Sequence, residues 1–200
     1  MKKLISNVLL IVVIIGIALV LRAKFERFTV PQNGMYPTLP AGSTHWVTKS
    51  RYEISDVLLG DIVVYEGSHD SKIYNFVWRV IALPGDEVSI DADNIEINGV
   101  RLERKFVRSE GSLKIYSETR GGQNYEVAYD ANAPVENRIG CSLTVPDDHI
   151  FVLGDNRYNA LDSRYHGPVA VKKVFGKFQP LKGCASDDRE ILVCDDRFSR

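Results

Sequence analysis

The chain has 200 residues, 44% of them hydrophobic, and a formal net charge of −1. A chain of this length forms one domain, or one domain with an appendage, and its composition excludes collagen-like, disordered and polytopic membrane proteins. Because 25 basic residues are matched by 26 acidic ones, no excess positive charge is available to hold a nucleic acid.

The first predicted element is an apolar helix over residues 4–21, in which Ser6 and Asn7 are the polar residues. A helix of this length spans about 27 Å, enough to cross the core of a bilayer. The charged residues 22–27 that follow lack the small-residue pattern of a cleavage site. We therefore predict a retained transmembrane anchor over residues 4–22 rather than a cleaved secretory signal.

Beyond residue 28 the sequence has the pattern of short β-strands separated by glycine and proline turns. Asn98-Gly99, between two short β-branched runs, predicts a type I′ hairpin turn. Residues 103–145 are polar and weakly periodic and are predicted to form an inserted subdomain, while the charged tail 185–200 is expected to be peripheral. Strands are predicted at residues 44–48, 61–65, 73–82, 94–97, 100–102, 150–153 and 169–175. This pattern predicts an all-β fold of packed or coiled antiparallel sheets over residues 23–200.

The three cysteines are Cys141, Cys184 and Cys194. They fit no zinc-ligand spacing, and Asp162 with His166 does not make a ligand set either, so we expect no metal and no cofactor. Cys184 and Cys194 can close a short disulfide if the domain faces an oxidising compartment. Free thiols are the alternative.

Three segments carry a family resemblance. They are residues 31–39 (PQNGMYPTL), residues 79–86 (RVIALPGD) preceded by residues 60–65 (GDIVVY), and residues 154–167 (GDNRYNALDSRYHG). In this order and spacing, after an anchor, they resemble bacterial signal peptidase I. The third segment is the longest and most specific, and together the matches cover most of residues 1–175 in outline.

The resemblance implies a membrane-anchored serine endopeptidase that removes signal peptides from exported precursor proteins. It implies two antiparallel β-sheets, the larger carrying the site and the smaller forming a subdomain. Basic residues flank the anchor on both sides, so charge alone leaves its orientation open. The family's site lies on the outer face of the bacterial cytoplasmic (inner) membrane. That places residues 1–3 in the cytoplasm and the β domain on the periplasmic or extracellular side.

The positions at which this family places its catalytic groups hold other residues here. Gly34 stands where the family has its serine nucleophile, and Trp78 stands where it has its lysine base. Ala160 replaces the hydroxyl that orients the lysine, and Gln32 replaces the one that helps the oxyanion hole. Glycine cannot attack a peptide bond, and an indole N–H cannot accept a proton. The sequence therefore predicts a chain that is inactive by the serine–lysine mechanism.

The positions that shape the family's site are retained. Those expected as the site's scaffold are Met35, Pro37, Arg79, Asp155, Asn156, Arg157, Asp162, Ser163 and Arg164. Acidic and arginine residues of these segments pair in the family, and Asp155, Asp162, Arg79 and Arg164 are available to pair here. Trp78 is expected to fill the space of the lysine stem, with Ala160 as an apolar neighbour.

Other residues do not restore the missing groups. Lys72 lies six residues before Trp78 in a predicted strand, about 20 Å along it. Lys49 is expected to be a solvated charge. Asp162, Ser163 and His166 superficially resemble a hydrolytic triad, but adjacent loop residues rarely converge in that geometry. Trp46 is interpreted either as a lipid-interface residue or as a core residue.

Three classes of function stay open from the sequence. The chain can be a binding module for exported precursors, their signal peptides or a partner signal peptidase. It can be an active peptidase with displaced catalytic groups. It can also be an accessory of a secretion, pilus or conjugation apparatus.

Overall fold

The computed structural model describes residues 2–178 and, within the N-terminal helix, side chains from residue 7 onward. Cys184, Cys194 and the tail 185–200 lie outside the described residues. Helix α1 (Lys2–Lys24) runs directly into strand β1 (Phe25–Thr29) without a loop. Among residues 2–178, α1 is the one helix long and apolar enough to cross a membrane. Its window Asn7–Lys24 has a mean hydropathy of 2.3, and none of its residues is buried within the described chain.

The rest of the described chain is built from short strands joined by turns. After β1 come β2 (Thr44–Lys49), β3 (Ile62–His69), β4 (Lys72–Ala82), β5 (Glu87–Asp91), β6 (Asn94–Ile97), β7 (Val100–Arg101), β8 (Arg104–Glu110), β9 (Leu113–Arg120), β10 (Gln123–Asp130), β11 (Cys141–Thr144), β12 (His149–Leu153), β13 (Val169–Ala170) and β14 (Val174–Phe178). One further short helix, α2, covers Ser163–His166.

These strands form three antiparallel sheets, one more than the resemblance implies, and the predicted all-β class is confirmed. The largest has seven strands in the order β1-β2-β14-β3-β4-β12-β13. A sheet of three strands has the order β10-β9-β8, and one of four has the order β11-β5-β6-β7. The three-stranded sheet lies within residues 103–145. β11, from the same range, pairs instead with β5.

Local sequence explains the turn between β6 and β7. Asn98 and Gly99 both adopt positive φ angles, 55° and 71°, as a type I′ turn requires, and Ile97 pairs with Val100 across it. The prediction of one strand over residues 169–175 is wrong. The chain forms a 3-10 turn at Val171–Lys173, because β13 pairs with β12 whereas β14 crosses to lie between β2 and β3.

The second half of strand β4 is buried on both faces and separates two apolar cores. Its side chains alternate, so Trp78 points to one face and Arg79 to the other. Met35, Trp78 and Ala160 belong to the first core. Ile81 and Phe151 belong to the second. The candidate site is built around the adjacent residues Trp78 and Arg79.

Candidate functional site

Trp78 lies directly against Gly34. The indole is 2% exposed, and a Cβ placed on Gly34 would lie 2.5 Å from Trp78 Cη2 and 2.6 Å from Cζ3. Non-bonded carbon atoms need about 3.5 Å or more. A residue with a side chain therefore does not fit at position 34 unless the indole moves.

Ala160 and Gly154 complete this contact. A Cβ on Gly154 would collide with the Cβ of Ala160 and lie 2.6 Å from the Gly34 carbonyl oxygen and 3.1 Å from Trp78 Cζ3. We call Gly34, Trp78, Gly154 and Ala160 the Trp78 cluster. The side chains of Trp78 and Ala160 pack directly against the backbone of the two glycines, which leaves no room for a Cβ at either one.

Gln32 stands apart from this cluster. Its side chain is exposed and makes no hydrogen bond to other residues in the described part of the chain. The structure thus brings three of the four family catalytic positions together and leaves the fourth at the surface.

The polar atoms around Trp78 are few. Its Nε1 and the hydroxyl of Tyr65, on the neighbouring strand β3, are buried and without a hydrogen-bond partner among residues 2–178. Burial raises the pKa of the Tyr65 hydroxyl, and the Asp162 carboxylate adds to the effect, so this phenol stays protonated. Neither group is a base.

Two hydrogen bonds donated by Asn156 hold the loop that carries Gly34. Asn156 donates from its backbone N–H to the Gly34 carbonyl at 3.0 Å and from Nδ2 to the Asn33 carbonyl at 3.1 Å. Met35 and Leu39 form an isolated β-bridge within the same loop, and both are buried. The loop is therefore fixed against residues 154–156.

On the opposite face of β4, Arg79 forms a buried ion pair with Asp155. Arg79 Nε donates to Asp155 Oδ1 at 2.8 Å and Nη2 to Oδ2 at 2.6 Å, while Nη1 donates to the Gly60 carbonyl at 2.9 Å. Thr38 donates to Asp155 Oδ2 at 2.5 Å. Burial by itself lowers the pKa of Arg79, but the Asp155 carboxylate outweighs it and the net direction is upward.

Asp162 organises the segment that contains Ala160. Its carboxylate accepts from the Gly154 N–H at 2.9 Å and pairs with Arg164 through two hydrogen bonds of 2.9 and 2.7 Å. Ser163 Oγ accepts from the Val152 N–H at 3.0 Å. Arg79, Asp155, Asp162 and Arg164 thus form two separate pairs, which meet through the backbone at Gly154 and Asp155.

The apparent triad of Asp162, Ser163 and His166 is not assembled. The hydrogen bond of buried Ser163 is to backbone, and His166 instead lies against His69 and Phe76, with ring centroids 5.6 Å apart in each case. Burial lowers the pKa of His166. In the described part of the chain no group of three or more His, Cys, Asp or Glu is placed to hold a metal ion.

The lysines considered as substitutes lie elsewhere. Lys49 is exposed and pairs with Glu26 at 3.0 Å. Lys72 is the first residue of β4, cross-strand from His69 at the tip of the β3–β4 hairpin. Neither amine reaches the Trp78 cluster.

Sequence reasoning missed the partner of Arg157. This side chain is 1% exposed and donates to Glu118 of β9 at 2.9 and 2.5 Å. Glu118 lies 39 positions from Arg157, and no local feature of its strand marks it as the partner. The pair ties the three-stranded sheet to the loop 154–159. A second tie joins Tyr36, whose hydroxyl donates to Glu110 of β8.

The chain is similar in sequence to known signal peptidases. The family model described as "Signal peptidase, peptidase S26" matches residues 2–181. Signal peptidase I of Bacillus caldolyticus is 31% identical over 153 residues, which cover 76% of each chain. Probable signal peptidase I-2 of Synechocystis sp. is 31% identical over 175 residues, covering 82% of this chain and 69% of that protein.

Two further comparisons are similar. Signal peptidase I T of Bacillus subtilis is 31% identical over 175 residues, covering 83% of this chain and 78% of that protein. A crystal structure of a signal peptidase I from Enterococcus faecalis superimposes with a TM-score of 0.38 and 28% identity, over 62% of this chain and 97% of that one.

Proposed function

The chain belongs to the signal peptidase family, peptidase S26, and we propose that it is a non-cleaving member that binds the signal-peptide region of exported precursors. The family's activity is cleavage of signal peptides. In this chain the proposed role keeps the recognition of the precursor and loses the hydrolysis.

The contact between Trp78 and Gly34 carries the proposal. Peptide hydrolysis by this family needs a hydroxyl to attack and an amine to take its proton. Position 34 supplies no side chain, and the indole at position 78 donates but does not accept a proton. Loss of either member of a nucleophile–base pair costs several orders of magnitude in rate, and here both are absent.

The clash distance strengthens this reading. A serine at position 34 would place its Cβ 2.5 Å from the indole. Restoring the nucleophile alone is therefore sterically blocked. The two substitutions are mutually dependent, as expected of a site repacked for a role without hydrolysis.

Retention of the ion pairs supports binding. Two ion pairs are buried, Arg79 with Asp155 and Arg157 with Glu118, and two hydrogen bonds join the partners in each pair. Breaking a buried pair typically costs about 3–5 kcal/mol, so these pairs hold the loops around Gly34 in a defined shape. A defined surface beside the former cleavage point is what precursor recognition requires.

The proposed location is the outer face of the cytoplasmic membrane, with residues 1–3 on the cytoplasmic side. α1 passes into β1 without a linker, which supports a β domain seated directly at the bilayer surface. Trp46 is exposed on β2, next to β1, where an interfacial aromatic residue is expected.

The test is binding without turnover by the full chain in lipid nanodiscs. A fluorescently labelled peptide with a signal-peptide apolar stretch and small residues at the cleavage positions should raise its anisotropy and be recovered intact by mass spectrometry. A matched peptide with large aromatic residues at those positions serves as the control. If neither peptide binds, the proposed function is wrong.

A covalent serine-hydrolase probe separates this proposal from an active peptidase with displaced groups. We expect no labelling of the wild-type chain. The contrary result is that the probe labels a serine of this chain and that added precursor peptide blocks the labelling. This result would contradict the proposal, because it would reveal a nucleophile other than position 34.

A further inference from the structure

A polar pocket of about 470 Å³ has Asn33, the residue before Gly34, in its wall. Four segments form its walls: the loop at Asn33 and Tyr36, the turn between β8 and β9, the stretch that follows β10, and the loop 156–159. The pocket lies where the three-stranded sheet meets the loops of the Trp78 cluster. A volume of this size accommodates a peptide side chain with its neighbouring backbone.

The lining consists largely of uncharged hydrogen-bonding groups. Five asparagines contribute to it: Asn33, Asn132, Asn137, Asn156 and Asn159. Each amide donates and accepts, and the hydroxyls of the pocket do the same. Asp130 is the one charged side chain among the described lining residues. Such a wall can form hydrogen bonds with an amide or hydroxyl side chain, but it contains no cation to pair with a carboxylate.

Two groups in the wall have hydrogen-bonding capacity that the described chain does not use. Asn156 Oδ1 and the Tyr158 hydroxyl have no hydrogen-bond partner among residues 2–178, although their side chains are 4% and 5% exposed. Both atoms are buried, so the groups that the pocket presents to a ligand are the exposed side chains of Asn33, Asn132 and Asn159.

Two residues of the pocket wall, Asn33 and Asn159, are neighbours of Gly34. Asn33 is the residue before Gly34, and the Asn159 carbonyl oxygen would lie 3.2 Å from a Cβ on Gly34. A precursor peptide bound at Gly34 would therefore lie next to the pocket wall.

We propose that this pocket selects an uncharged hydrogen-bonding side chain, such as glutamine, asparagine or serine, of the bound precursor and rejects a carboxylate. This inference rests on the proposed function, because it requires that a precursor peptide binds beside Gly34. It adds a sequence preference that the small residues at the cleavage positions do not supply.

The experiment uses the full chain in nanodiscs and pairs of labelled precursor peptides that differ by glutamine or glutamate at one position. The position is moved through the residues on both sides of the small residues. We expect one position at which the glutamine peptide binds about tenfold tighter, the value of roughly one hydrogen bond plus the repulsion from Asp130. Equal affinity at every position would overturn the pocket while leaving the proposed function in place.

Two substitutions at exposed Asn132 test the location. Asn132→Lys supplies the missing cation and should reduce or invert the preference for glutamine. Asn132→Trp fills the pocket and should weaken the glutamine peptide about tenfold. The matched controls are Asn124→Lys and Asn124→Trp, at an exposed asparagine of β10 outside the pocket, and they should leave both affinities unchanged.

The outcomes are distinguishable. If wild-type chain binds the peptides but the Asn132 variants behave like the Asn124 variants, the pocket proposal is wrong and precursor binding stands. If wild-type chain binds no precursor peptide at all, the proposed function fails and this inference fails with it.

Discussion

Trp78 and Arg79 are consecutive residues of β4, yet the two faces of the strand that they occupy differ in chemical character. On the Trp78 face, carbon atoms fill the space around Gly34, and no base is present in the cluster. On the Arg79 face, the guanidinium still has its carboxylate partner and all three of its nitrogens donate. The comparison shows that two consecutive positions of one strand border an apolar cluster on one face and a buried ion pair on the other.

The reason lies in what each face costs to change. Replacing a lysine and a serine by an indole and a glycine removes groups that hydrolysis needs but folding does not. Replacing Asp155 would leave a charged guanidinium buried without a partner. Folding stability alone therefore favours Asp155 at this position, independently of any activity.

The largest expected effect is therefore on the Arg79 face. Asp155→Ala should lower the free energy of unfolding by about 3–5 kcal/mol or prevent folding, since Arg79 is left buried and unpaired. Denaturant unfolding of the full chain in detergent measures it. Glu26→Ala, which breaks an exposed pair with Lys49, is the control and should cost at most about 1 kcal/mol. Similar losses in the two variants would mean that the Arg79 pair does not hold the framework.

A smaller effect is expected on the Trp78 face. Gly34→Ser alone should destabilise the chain by about 1–3 kcal/mol because its Cβ overlaps the indole. Trp78→Ala alone should also destabilise it, since it opens a cavity. In the double variant the two costs should be less than additive by about 1–2 kcal/mol. Strict additivity in this double-mutant cycle would show that the serine does not meet the ring.

The least disruptive test uses the two tryptophans, of which Trp46 is 56% exposed and Trp78 is 2% exposed. In nanodiscs made with brominated lipids, the Trp78→Phe variant reports Trp46 and the Trp46→Phe variant reports Trp78. We expect lipid quenching of Trp46, from its proposed position at the interface, and little quenching of Trp78 by lipid or by aqueous acrylamide. Strong acrylamide quenching of Trp78 would mean that the cluster is open to solvent.

Much of the fold was accessible from the sequence because its signals are local. Alternation of apolar residues predicts the strands, and Asn98-Gly99 predicts its turn because few other residue pairs tolerate two positive φ angles. The resemblance to signal peptidase I supplied the positions to compare, and elementary chemistry shows that glycine and tryptophan cannot replace serine and lysine.

What the sequence could not supply depends on long-range pairing. Nothing near Glu118 marks it as the partner of Arg157, and the strand over residues 169–175 is broken because its two halves join different neighbours. The polar pocket gathers residues from four separate segments. Its asparagines look like ordinary loop residues until the chain is folded.

The central claim is tested most directly by turnover. The purified full-length chain is incubated for hours with an equal concentration of precursor peptide. Mass spectrometry then shows whether the peptide is intact or cleaved. The variant with Gly34→Ser, Trp78→Lys and Ala160→Ser combined is treated identically. Wild-type chain should leave the peptide intact, whereas any cleavage that is gained should come from the triple variant. Wild-type cleavage at the small-residue site, with rates that follow this chain through purification, would contradict the claim.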